Sequence, residues 1–155
     1  SVTYKAETPG KSILFLGDLG SYGGTLLKDK NDSYFLDEAK TCDVVQLAHH
    51  GQSGIDINDY QYLTSMKVAL YCAPRWLFDC DSGSGVGSGS WQTLKTREAM
   101  RVLKVRYQFA SDNGRIIFKC SLFVHTRDRK LWYTDYVSIR EFLYRSKCRF
   151  FGCKV

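Results

Sequence analysis

Apolar positions change their period several times along the chain, and each change predicts an element. SVTYKAE at the start alternates apolar and polar residues, the pattern of a half-buried strand, and TPGK reads as a turn after it. SILFLG is a continuous apolar run, which fits a strand covered on both faces, and GDLGSYGG follows it. From about Thr25 to Ala39 the spacing is helical, with a break near Asn31–Asp32. DVVQLA predicts a second buried strand, ended by the turn HHGQSG. INDYQYLTSM has apolar residues at helical spacing behind an N-cap at Asn58 or Asp59. KVALYCA is a third strand, stopped by Pro74.

Residues 79–90, DCDSGSGVGSGS, have the composition of a flexible linker. A short helix from Trp91 to Leu103 and further strands come after them, so they read as a loop within one domain. Thr93 and Arg97 fall on the polar side of that helix. VRYQFA, the turn SDNG and RIIFKC predict a hairpin with Asn113-Gly114 at its tip. Further on, Trp132, Tyr136, Ile139 and Leu143 recur at helical spacing, with Arg140, Arg145, Lys147 and Arg149 nearby. That spacing predicts a helix laid over the core with its basic side in solvent; a helix lying on a membrane or an anionic partner is the second reading. The order β-β-α-β-α-β-loop-α-β-β predicts an α/β fold, a mixed sheet with flanking helices.

With 155 residues, 44% of them apolar, the chain can build one domain with a real core. No apolar run reaches the roughly 18 residues of a membrane span. The opening residues lack a secretory layout, and a start on Ser1 reads as a processed product or a fragment. Charge divides the chain. Residues 1–118 hold 13 basic and 13 acidic residues, whereas residues 119–155 hold 9 and 3, so all of the net +6 sits in a basic, aromatic C-terminal extension. A nucleic-acid-binding body would spread basic residues over a face of the fold, so the distribution argues against nucleic acid and against a membrane as partner. The six cysteines make no C-x-x-C; Cys42 and Cys72 border strand runs and read as buried, reduced thiols, which favours a reducing, cytoplasmic compartment.

The candidate chemistry lies just past two strands. Asp18 follows SILFLG, and His49 and His50 follow DVVQLA, about 30 residues later. A helix crossing between them makes the two strands parallel, with their carboxyl ends at one rim, where ligands collect in α/β layers. A carboxylate and an imidazole would then reach a common ion, and oxygen with nitrogen donors suits zinc, or manganese and iron in wetter sites. Gly17 and Gly51 would let the backbone turn tightly beside each ligand.

FLGDLG followed by DVVQLAHHGQSG and a strand ending in proline resembles the C-terminal half of metallo-β-lactamase-superfamily hydrolases. The resemblance points to the branch that contains competence-protein hydrolase domains and phosphorylcholine esterases, whose last metal motif reads His-His-Gly. APRWLFD, the glycine-rich loop and WQTLKTREAM are similar to the same branch, and the likeness spans residues 1–118. It implies half of an αββα sandwich and a site for two divalent metal ions, zinc in the first place. Asp18 would bridge the ions, His50 would ligate one of them, and His49 would face the substrate and protonate or hydrogen-bond it. The implied chemistry is hydrolysis of a small phosphoester or ester by a metal-held hydroxide, since metal binding lowers the pKa of water from 15.7 to about 7. Asp81, Ser82 and Gly83 would border the substrate, with loop amides meeting its anionic oxygens.

The likeness is incomplete. The family's first metal motif, H-x-H-x-D-H, has no counterpart among His49, His50 and His125, the three histidines present. Asp18 and His50 offer two or three donor atoms where zinc takes about four. The expectation is therefore the second half of a hydrolase fold, inactive by itself and weak in metal. Its partner would be the missing half or a second copy covering an exposed apolar sheet face. The alternative is a non-catalytic module that binds nucleic acid or an anionic surface through its basic extension.

Overall fold

A computed structural model describes residues 2–8, 10–29 and 33–113, together with the backbone of three further strands at 117–126, 129–138 and 149–152. β1 (Val2–Thr8) and β2 (Lys11–Phe15) form an antiparallel hairpin in which Thr8 stands opposite Lys11. β3 (Val44–Gln46), β4 (Val68–Leu70) and β5 (Tyr107–Phe109) then add one after another, each parallel to the strand before it. The sheet is mixed, with five strands in the order β5-β4-β3-β2-β1, and β8 (Arg149–Gly152) pairs antiparallel with the free edge of β1. This is the α/β class that the sequence pattern predicts.

The helices are short: α1 (Ser21–Thr25), α2 (Ser33–Ala39), α3 (Arg75–Phe78) and α4 (Thr93–Val102). Because β2 to β5 advance across the sheet in one direction, right-handed crossovers carry every connection over the same face. Leu14, Leu16, Val45, Leu47, Ala69 and Tyr71 point into that face and pack with Leu27, Phe35, Leu63, Phe78 and Met100 from the connections. The opposite face gathers Ala6, Ile13, Val44, Val68 and Leu70 into a second buried cluster. Among the described residues, the large apolar side chains exposed on that side are Val2 and Tyr4 on β1 and Tyr107 on β5. A buried charge lies under the helices: the Lys5 ammonium, 3% exposed as a residue, reaches Glu38 (2.8 Å), the Thr41 hydroxyl (3.0 Å) and Glu7. Burial opposes its charged form, but those carboxylates more than offset the effect and raise its pKa.

Several sequence expectations need correction. The helical stretch from Thr25 is two pieces, since α1 already ends at Thr25 and α2 begins at Ser33. INDYQYLTSM forms a single 3-10 run, Ile57–Tyr62, capped by Asp56, whose carboxylate accepts the Asn58 N–H (2.8 Å). Thr93 is not on a polar face: it is fully buried and its hydroxyl donates to the Leu77 carbonyl (2.7 Å), so a small polar residue closes the α3–α4 contact. The expected hairpin does not form either. β5 makes its bonds to the β4 segment (Tyr71 N–H to Phe109 O 2.9 Å, Tyr107 N–H to Lys67 O 3.1 Å), and Ser111–Asn113 is a 3-10 turn. β6 (Ile117–Thr126) pairs instead with β7 (Arg129–Ser138), antiparallel in a separate two-stranded sheet. Trp132 and Tyr136 therefore lie in a strand and not a helix, as befits a segment dense in Trp, Tyr, Thr and Val. Ile139, Arg140, Leu143, Arg145 and Lys147 fall outside the described residues. β6 runs across the boundary expected at residue 118, and β8 brings part of the extension into the main sheet.

Candidate functional site

β2 and β3 are parallel neighbours, so Asp18 and the histidine pair leave the sheet at the same rim. Gln46 ties the two exits together. Its backbone carbonyl accepts the Leu16 N–H (3.3 Å), its side-chain Oε1 accepts the Gly17 N–H (2.8 Å), and its Nε2 donates to the Leu47 carbonyl. One residue on, the His49 N–H donates to the Gly17 carbonyl (2.8 Å), so the residue before Asp18 is bonded directly to the first histidine. Asp18 is exposed at this junction and both histidines are half-buried. The neighbouring strand closes the arrangement from the other side. Leu47 N–H donates to Leu70 O (2.9 Å), and the buried Tyr60 hydroxyl accepts the Ala48 N–H (3.2 Å). Burial pushes the Tyr60 phenol well above the ordinary tyrosine range, which keeps it neutral and fit for that contact.

Both histidines adopt left-handed backbone angles, φ 46° and ψ 49° at His49 and φ 60° and ψ 14° at His50, and Gly51 follows at φ 74°. For residues with a Cβ this conformation costs on the order of 1–2 kcal/mol each. Strain held by surrounding bonds is characteristic of working sites. A Cβ on Gly51 would come within 2.5 Å of the Tyr71 ring, and one on Gly54 (φ 99°) within 2.6 Å of the Leu19 carbonyl, so glycine is required at both turns. The ring bonds differ between the two histidines. His50 Nδ1 lies 3.1 Å from the Cys72 carbonyl, which can only accept, so Nδ1 carries the proton and Nε2 keeps its lone pair in the neutral ring. A ring nitrogen anchored on a backbone carbonyl is the usual arrangement of a metal-ligating histidine. His49 Nδ1 bonds the Ser53 hydroxyl at 2.9 Å, and the two rings stand 6.1 Å apart at 55°.

Asp18, His49 and His50 thus leave the sheet at the same rim. Yet among the described residues no group of three or more His, Cys, Asp or Glu side chains could hold a metal ion. A carboxylate and an imidazole are half of a zinc set, so these residues alone do not fit a complete zinc site. Among the described thiols Cys42, Cys72 and Cys80 are free. Burial pushes the Cys42 thiol up to about 11, which makes it an inert core group. Cys72, expected to be buried, is exposed at the end of β4, where its φ of 42° turns the carbonyl that anchors His50.

The loop at 79–90 has a different occupation from the one expected of it. Asp81 Oδ1 accepts from Gly83 N–H (2.7 Å), Gly85 N–H (2.9 Å) and the Ser88 hydroxyl (3.3 Å). These bonds, the backbone amides first, hold its carboxyl below the usual range. Ser82 bonds Ser88 through both its amide (2.9 Å) and its hydroxyl (3.0 Å). Asp81, Ser82 and Gly83, the residues expected at the substrate, direct their hydrogen bonds into the loop itself.

A cleft of about 460 Å³ opens next to the histidine corner, and Ser21, Ser53, Asp56, Gln92, Lys95 and Thr96 are among its walls. Two of these stand close to the rim residues, Ser21 at the start of α1, three residues after Asp18, and Ser53, which bonds His49. The Gln92 N–H donates to the Gln52 carbonyl (3.2 Å) and fixes the start of α4 against the histidine turn. Sequence reasoning missed Gln46, Ser53 and Tyr60. The first had a signal, a lone amide inside an otherwise apolar strand; the other two become visible only once the turns are folded. Compared with known proteins, the chain matches no family model, no curated protein and no solved structure.

Proposed function

We propose that this chain carries one donor corner of a metal-dependent hydrolase of phosphoester or related ester bonds, as the resemblance of its GD and HHG motifs implies. Asp18 and His50 are the donors it contributes, and the remaining ligands come from a segment bearing the H-x-H-x-D-H motif. The observation that carries the reading is the His50 Nδ1 contact to the Cys72 carbonyl, which leaves Nε2 as a lone-pair donor at the rim where Asp18 emerges. The bound metal, zinc in the first place, would supply an activated water; the chain's own residues bind and orient. His49, held by Ser53, is placed to hydrogen-bond a substrate oxygen. Because two donors do not make a complete site, no catalytic step belongs to this chain alone, and no hydrolysis is expected from it.

The test is the coding sequence upstream of Ser1. An H-x-H-x-D-H motif there, and metal-dependent cleavage of a phosphodiester by the longer chain that disappears with Asp18→Ala, support the reading. A longer chain that carries the motif and cleaves equally well without Asp18 refutes it. The charge of residues 119–155 favours a second reading, a module that binds an anionic surface through this extension. It requires binding that falls steeply with added salt and vanishes when those residues are deleted.

A further inference from the structure

Gln46 is a buried amide at the end of β3, set between Val45 and Leu47. Burying an amide is costly unless its polar ends are bonded, and here both are. The Gly17 N–H can only donate and the Leu47 carbonyl can only accept, so Oε1 faces Gly17 (2.8 Å) and Nε2 faces Leu47. Register pairing of β2 with β3 stops at Phe15 and Gln46, and the Leu16 N–H to Gln46 carbonyl bond (3.3 Å) finishes the ladder. The Gln46 side chain carries the connection one residue further. Gly17 is then held at both ends by the exit of β3: its N–H by Gln46 Oε1, its carbonyl by the His49 N–H (2.8 Å). With the chain from Gln46 to His49 these bonds close a ring. That ring joins the peptide before Asp18 to the first of the two left-handed histidines, a conformation that persists only where its surroundings hold it.

We propose that Gln46 is the positioning residue of this rim, whose amide sets the placement of Asp18 against the His49–His50 turn. It acts through Gly17 and His49. The role calls for an amide of this length. A carboxylate would set a second acceptor against the Leu47 carbonyl, and an apolar side chain would withdraw the acceptor from the Gly17 N–H. Asparagine is one methylene short. The consequence for an ion rests on the hydrolase reading: donors delivered by two strands bind one ion well only while their separation is held, and support of this kind is worth about 10–100-fold in affinity. The clamp itself does not depend on that reading.

The test compares the native chain with Gln46→Met, which keeps the length of the side chain but makes neither bond, by amide hydrogen exchange. The Gly17 and His49 amides should exchange at least about tenfold faster in the variant, beyond any change at Ala69 in β4, which reports the fold as a whole. A residue that only fills the core would change all three by one factor. Mn²⁺ affinity, read from broadening of the Asp18 and His50 signals, should fall by about tenfold or more. An NOE between the Gln46 side-chain amide and the Gly17 N–H is expected in the native chain, a measurement that needs no variant. Absence of that NOE, exchange that changes by one factor throughout, or unchanged Mn²⁺ affinity in the loosened variant overturns the positioning role. Selective loosening in a protein whose native form binds no Mn²⁺ at Asp18 and His50 keeps the clamp and removes the metal-donor role of those two residues.

Discussion

The turn at 47–54 and the loop at 79–90 both lie beyond the carboxyl ends of parallel strands and both are rich in glycine, yet they use their hydrogen-bonding groups in opposite ways. In the later loop the side chains look inward. Asp81 takes the amides of Gly83 and Gly85, and Ser82 and Ser88 bond each other, so the segment is a closed unit. In the earlier turn the backbone is fixed by Gln46, Gly17, Tyr60 and Leu70, and the side chains are what remain. Each histidine is anchored through Nδ1, and among the described residues neither Nε2 is engaged. Sequence composition treats the two segments as similar; their bonding closes one on itself and leaves the Nε2 atoms of the other unengaged among the described residues.

That contrast can be broken by substitution, and the largest effect should come from the donors. In a longer chain with the complementary motif, Asp18→Ala or His50→Ala should each lower hydrolysis by more than about a hundredfold, since even residues that merely support a ligand cost 10–100-fold. Steady-state turnover of a phosphodiester checks this. Next come the turn glycines. Gly51→Ala and Gly54→Ala each combine a left-handed φ with a clash against Tyr71 or the Leu19 carbonyl, and each should destabilise the fold by about 2–5 kcal/mol. Alanine at Gly83 or Gly85 meets no atom within 4 Å, so only the backbone cost of about 1–2 kcal/mol applies. Urea denaturation of the four variants measures the difference.

A smaller change is expected from Tyr60→Phe, which leaves the buried Ala48 N–H without its acceptor and should cost about 1–3 kcal/mol by the same assay. The smallest concerns Asp81. Its folded pKa lies below the ordinary carboxylate value, so its contribution to the loop is fully present above that ordinary value and is lost as pH falls through the lowered one. Amide exchange at Gly83 and Gly85 should therefore accelerate only in strong acid in the native chain, and at every pH in Asp81→Ala. The His49 and His50 amides should respond to neither change.

Much of the scaffold was legible because buried strands and strand-end residues leave local marks. SILFLG, DVVQLA and KVALYCA carry near-continuous apolar runs, as strands covered on both faces do, and Asp18 with His49 and His50 stands out where the first two runs stop. The partner of a strand is not local information. VRYQFA reads as half of a hairpin until it is seen that the helix before it delivers it in parallel to β4. Thr93 looks solvent-facing by type, and only the position of the Leu77 carbonyl makes burial acceptable. The same limit applies to Asp81. Its acidity and glycine neighbours suggest a ligand site, whereas three-dimensional closure gives its oxygen to the loop's own amides.

The central claim is that the ends of β2 and β3 offer Asp18 and His50 to one ion. Titrating the chain with Mn²⁺, a paramagnetic stand-in, while following its amide NMR signals tests this directly. The account expects weak binding, with the signals of Gly17, Asp18, His49 and His50 broadened first and the effect abolished in the Asp18→Ala/His50→Ala double variant. Broadening that begins elsewhere, or that survives the double substitution, would contradict it.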